Sequence, residues 1–171
     1  MLLLLVSGIL SQAAYADLES YHLAADDTVS ITVYNEPDLS LKKTRVATNG
    51  TIAVPLLGQI KVSGLTIAEV ESELSALFAD GYLKKPAITV SIDEYRFFYI
   101  NGEVKKPGGY SYRDGLTVHK AVTLAGGFTE RASKNAITLT HEKASEESST
   151  RVKLTDHIRP GDIITIKESF F

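Results

Sequence analysis

Short runs of alternating apolar and polar residues, each closed by turn chemistry, constrain this chain more than any other feature. In Thr28-Val29-Ser30-Ile31-Thr32-Val33-Tyr34, the β-branched residues Val29, Ile31 and Val33 fall on one face of an extended segment, which predicts a half-buried strand. The same period returns over 59–63, 86–92, 136–140 and 162–167. Asn35-Glu36-Pro37-Asp38 breaks the first run. Asn49-Gly50 tolerates positive φ and predicts a hairpin turn between 44–47 and 51–57, with Pro55 marking an edge position or a bulge.

One segment has the helical period instead. Thr66 and Glu69 have capping-box spacing, and Leu65 with Val70 can form a hydrophobic staple. Ile67, Val70, Leu74, Leu77 and Phe78 then line one face, and Gly81 supplies the stop. Strands with one helix packed on them make a small α+β unit ending near Asp93. The remaining chain repeats this plan. It has a strand over 96–101, a turn at 106–109, a short strand Tyr110-Ser111-Tyr112 and a second turn at Asp114-Gly115. A short helix capped by Thr117 turns Val118, Ala121 and Val122 inward and ends at Gly126-Gly127, followed by strands over 136–140, 151–154 and 162–167. The charged, Ser-rich stretch 143–150 reads as an exposed loop. Strands surrounding a single short helix predict a ubiquitin-like β-grasp unit.

The first sixteen residues stand apart. An almost unbroken apolar run over 2–10, followed by Ala14-Tyr15-Ala16, has the form of a secretory signal peptide cleaved before Asp17. That run is far shorter than the roughly 20 residues of a membrane-spanning helix. With 18 basic residues against 21 acidic, the charges nearly balance, which argues against an electrostatic nucleic-acid binder. The absence of cysteine excludes a disulfide framework and, for the expected mature chain, a thioether-linked lipid anchor. The expectation is a periplasmic protein, associated with the outer membrane only through partners.

No catalytic constellation emerges. His22, His119, His141 and His157 lack metal-site spacing, and no cofactor or metal is expected. Asp26-Asp27 and Asp93-Glu94 are paired acids, but adjacent side chains on an extended segment face opposite ways, so solvated turns or strand ends account for them. Serines lack a nucleophile elbow, and Gly126-Gly127 follows a helix where a phosphate loop would precede one. Aromatic residues are more informative. Tyr95, Phe97, Phe98 and Tyr99 cluster, and Tyr110 and Tyr112 flank a hairpin. From these, Tyr95, Arg96, Tyr110, Tyr112 and Arg113 are the candidate contact residues, for stacking on sugar rings or for a subunit interface.

Three stretches resemble the bacterial outer-membrane polysaccharide-export proteins. The run from Tyr21 through Asp26-Asp27 to Tyr34 is similar to that family's opening strand, although a Gly-Asp pair is usual where this chain has Asp26-Asp27. Asn49-Gly50-Thr51-Ile52, Pro55-Leu56-Leu57-Gly58 and Val62-Ser63-Gly64-Leu65-Thr66 with Glu69 resemble the rest of the export domain. From Gly102-Glu103-Val104-Lys105-Lys106-Pro107-Gly108 through Ala125-Gly126-Gly127-Phe128, and again at Arg159-Pro160-Gly161-Asp162, the chain resembles the soluble-ligand-binding β-grasp (SLBB) module. The resemblance implies an α+β protein of two modules, an export domain over 17–94 and an SLBB β-grasp domain over 95–171, after a signal peptide over 1–16. Larger members add a C-terminal amphipathic helix that builds a pore, and a short form ending at Phe171 is expected without one.

The resemblance further implies a non-enzymatic component of a capsule or exopolysaccharide export machine. Its expected partners are the polysaccharide, further copies of itself, an inner-membrane copolymerase and an outer-membrane pore protein. The alternative is a periplasmic carbohydrate-binding module that senses or retains polymer without moving it. A processing enzyme ranks below both, because no suitably spaced acid pair is present.

Overall fold

A computed structural model describes residues 21–142 and 149–169. The expected signal peptide, most of the charged loop and Phe170-Phe171 lie outside the described residues. The chain divides into two compact units, Met1–Asp93 and Glu94–Phe171.

In the first unit, β1 (Thr28–Val33) lies between β2 (Leu41–Arg45) and β5 (Ile88–Glu94). Val29, Ile31 and Val33 are buried, as the alternation predicts. β3 (Thr51–Val54) and β4 (Gly58–Lys61) form a separate antiparallel pair. α1 (Ile67–Ala79) starts at the predicted capping box: Thr66 Oγ1 accepts from the Glu69 N–H, and the Glu69 carboxylate accepts from the Thr66 N–H. Val70, Leu74 and Phe78 on its inner face join the strand residues and Leu23, Val46, Ile52, Val54, Val62 and Val90 in one core.

Two expectations about this unit are corrected. Asn49-Gly50 lies in a turn, but that turn passes the chain from one sheet to the other and is not the tip of a hairpin. β2 pairs with β1 from Thr28↔Arg45 to Ile31↔Leu41, leaving β3 to pair with β4 across Pro55-Leu56-Leu57. Leu56, at φ 66°, takes the left-handed position in that turn. Turn residues mark where a chain reverses, not which strands it joins. Nor is Asp27 a solvated strand-end acid: it is fully buried.

The second unit is a five-stranded sheet in the order β7 (Gly108–Tyr110), β6 (Phe98–Gly102), β10 (Ile163–Glu168), β8 (Ala132–Thr140), β9 (Thr150–Arg151). Its first and last strands, β6 and β10, run parallel at the centre, and the other pairs are antiparallel. α2 (Val118–Leu124) connects the leading hairpin to β8. This hairpin–helix–strand order, with parallel first and last strands, is the β-grasp arrangement. Val118, Ala121 and Val122 of α2 pack with Phe98, Ile100, Ile137, Leu139, Ile164 and Ile166. The expected strand at 110–112 is displaced: β7 ends at Tyr110, and Tyr112 lies beyond it. Among the described residues, no helix is long and apolar enough to cross a membrane.

Candidate functional site

Alternation gives the β-grasp sheet two unlike faces. Phe98 and Ile100 of β6 point into the core beneath α2, so their neighbours Phe97, Tyr99 and Asn101 point the other way. Phe97 is 51% and Tyr99 50% exposed. Tyr99 stands opposite Gly109 of β7. A methyl group placed on Gly109 would meet Tyr99 Cε1 at 2.9 Å and Phe97 Cδ2 at 3.4 Å. The missing side chain is what lets both rings fold down onto the edge strand. From there two in-register rows cross the sheet: Gly109–Tyr99–Ile163–Thr140, and Asn101–Thr165–Thr138–Arg151.

The structure brings together only some of the five residues singled out from the sequence. Tyr95 and Tyr112 meet edge to face, with ring centroids 5.3 Å apart, and the Tyr95 hydroxyl lies 3.4 Å from Asp114 Oδ2. Tyr110 turns toward the core and stacks on Phe98 at 5.9 Å, while its hydroxyl donates to the Lys106 carbonyl at 2.5 Å. Arg96 is largely buried and its Nε donates to Glu142 Oε2 at 2.8 Å. Arg113 is exposed. Four of the five are thus committed to contacts within the unit. The outward pair Phe97 and Tyr99, outside that set, is the better-placed aromatic surface. Its signal in the sequence was the two-residue period itself, since burying Phe98 and Ile100 forces 97 and 99 outward.

A charged group lies at the start of β10, beside the Tyr99 row. Asp162, buried, accepts from the Arg159 N–H at 2.7 Å and lies 2.7 Å from His141 Nδ1. The Arg96–Glu142 pair covers Gly161, where a Cβ would lie 2.6 Å from Glu142 Oε2. His22, His119 and His157 are exposed. Among the described residues, no group of three or more acids and histidines could hold a metal ion. Elsewhere, the Glu168 carboxylate hydrogen-bonds Arg131 and raises its pKa, tying the start of β8 to the end of β10.

These two units correspond to two known protein families. The polysaccharide biosynthesis/export protein family matches residues 16–93, and the SLBB domain family matches residues 97–153. The chain belongs to the polysaccharide export family. Among curated proteins it is 34% identical over 109 residues to "Exopolysaccharide production protein ExoF" of Rhizobium meliloti, covering 63% of this chain and 26% of that protein. It is 32% identical over 141 residues to "EPS I polysaccharide export outer membrane protein EpsA" of Ralstonia nicotianae, covering 68% of this chain and 37% of the relative. The protein of the same name from Ralstonia solanacearum is 30% identical with the same coverage. The chain therefore spans between about a quarter and a little over a third of the length of these export-family relatives. The matched families are export and ligand-module families, not enzyme families.

Proposed function

We propose that this protein is a periplasmic component of an exopolysaccharide or capsule export machine, guiding polymer or bridging an inner-membrane copolymerase and an outer-membrane pore. The observation that carries this reading is the order of the two matched families along one chain, 16–93 then 97–153, together with relatives named for exopolysaccharide production and export. On this reading residues 1–16 direct secretion, 17–94 form the export domain and 95–171 form the ligand-facing β-grasp domain. The protein catalyses no reaction and acts through binding. It assembles with further copies of itself around the polymer path, and Tyr95, Arg96, Tyr110, Tyr112 and Arg113 shape the region of the β-grasp unit nearest those contacts.

The test is deletion of the gene in its source bacterium, with secreted and surface polysaccharide quantified and then restored by the plasmid-borne gene. A large, complementable loss of exported polymer is expected. Normal export from a strain without a second copy of such a gene would refute the proposal.

A further inference from the structure

We propose that the outward face of the β-grasp sheet is a polysaccharide-binding platform, with Phe97 and Tyr99 as the stacking surface and Asn101, Thr165, Thr138 and Arg151 as the polar track. This rests on the export reading and specifies where on the chain the polymer would be held. The rings of Phe97 and Tyr99 are half-exposed and lie over Gly109, so they present a low aromatic surface beside a flat sheet. A pyranose ring has an apolar face of C–H groups that suits such a surface, and equatorial hydroxyls that require hydrogen-bond partners around it. The track supplies those partners in register: an amide at Asn101, hydroxyls at Thr165 and Thr138, and a guanidinium at Arg151. At ~4.8 Å per strand, the track crosses from β6 to β9 over about 14 Å, which accommodates an oligosaccharide stretch and not a single sugar.

Charge points the same way. Across the two rows the one charged side chain is Arg151, a cation to receive an acidic polymer, and the Glu142 carboxylate near Phe97 is paired with Arg96. A second copy of the chain is the poorer occupant. Two half-exposed rings offer on the order of 200 Å² of aromatic surface, a small apolar centre for an interface of standard size, ~800 Å² per partner, with only threonines, an asparagine and an arginine along the neighbouring track.

The test uses the full chain, ¹⁵N-labelled, and oligosaccharides cut from the exopolysaccharide that the source bacterium secretes. Amide shifts are expected at Tyr99, Asn101, Gly109, Thr138 and Thr165, with Tyr99→Ala and Phe97→Ala each weakening binding about fivefold to tenfold. Tyr34→Ala removes a still more exposed ring, from the first unit, and leaves affinity unchanged. Absence of binding, shifts clustered elsewhere, or full affinity in both platform variants overturns the proposal. So does conversion of an oligomer to a monomer by Tyr99→Ala with binding intact, which would make the face a contact between copies. The export reading fails separately, through normal polymer in the deletion strain. A deletion strain that loses export but is fully restored by Tyr99→Ala and Phe97→Ala removes only the platform.

Discussion

The turns leading into β1 and β10 are built on the same plan from different residues. In each, an aspartate ends a four-residue turn, its N–H donates to the carbonyl three residues back, and its carboxylate accepts the N–H of that residue. The first turn joins Ala24 and Asp27 at 3.3 and 2.8 Å, and the second joins Arg159 and Asp162 at 3.2 and 2.7 Å. Each has a left-handed residue before the aspartate, Asp26 at φ 73° and Gly161 at φ 85°. Each launches the central strand of its sheet. Both aspartates are buried, and each carboxylate has a second partner, Tyr21 Oη at 2.6 Å or His141 Nδ1 at 2.7 Å. In both units, the turn that feeds the inner strand has its leading backbone donor satisfied by a buried acid just before the strand begins.

Removing the two acids has the largest expected effect. Asp27→Ala removes the acceptor of the Ala24 N–H and of the Tyr21 hydroxyl, and at ~1–3 kcal/mol for a buried polar group losing its partner the loss is expected near 3 kcal/mol. Asp162→Ala should cost about the same by the same mechanism. Denaturant unfolding measures the totals, and hydrogen exchange at Ile31 and Ile164 shows whether the loss falls on the strand each turn launches. Unchanged protection of β1 in Asp27→Ala would mean that the turn follows the strand and does not fix it.

The left-handed residues of the two turns differ in their surroundings. Gly161 sits beneath the Arg96–Glu142 pair, where a Cβ would come within 2.9 Å of Arg96 Nε as well as 2.6 Å of Glu142 Oε2. Gly161→Ala therefore combines left-handed strain with displacement of an ion pair, and about 2 kcal/mol of destabilisation is expected. Asp26, by contrast, is exposed and reaches Arg45 at 3.0 Å, both side chains being more than half exposed. Asp26→Gly relieves the strain and loses only a surface pair, so stability should stay within about 0.5 kcal/mol of the parent. Thermal unfolding of the two variants side by side checks this. Equal losses would mean that position 26 is as tightly covered as position 161.

This pair also shows what could be read from the sequence and what could not. The alternation at 28–34 located β1, and the Thr66–Glu69 spacing located the start of α1, because both signals are local. Buried Val118, Ala121 and Val122 followed from helical spacing in the same way. Asp27 read as a surface acid because its partners Ala24 and Tyr21 act through a turn that has no hydrophobic period. Asn49-Gly50 identified a reversal but not the pairing of β3 with β4, which depends on the competing claim of β1 on β2. The candidate contact residues were chosen as a cluster of aromatic and basic side chains. That choice could not separate Tyr110, turned inward onto Phe98, from Tyr99 one strand away and facing out. The departure from the family's Gly-Asp pair at Asp26-Asp27 was legible, but its meaning waited on the positive φ.

The two helix caps differ as the two turns do, with smaller consequences than loss of either buried acid. Thr66 and Thr117 both accept from the N–H three residues on, Glu69 at 3.3 Å and Lys120 at 3.4 Å. Only α1 completes the reciprocal box, because Lys120 has no acceptor to offer the N-cap N–H; its amino group donates to the Gly115 carbonyl. Thr66→Ala and Thr117→Ala should each cost about 1 kcal/mol at neutral pH. Acid separates them. The hydrogen bond from the Thr66 N–H, joined by the Thr66 hydroxyl, holds the Glu69 pKa below its ordinary value. A carboxylate whose folded pKa is depressed contributes stability above its unfolded pKa, about 4.3, and loses that contribution as pH falls through the folded pKa. The α1 cap should therefore weaken in acid from about pH 4 downward, and Glu69→Gln should flatten that part of the pH–stability curve. The α2 cap has no carboxylate in this position, and Lys120→Gln should leave the acid limb unchanged. Chemical denaturation from pH 7 to pH 3 on the three proteins decides it. An acid limb unaltered by Glu69→Gln would show that the helix cap does not set the acid sensitivity of the fold.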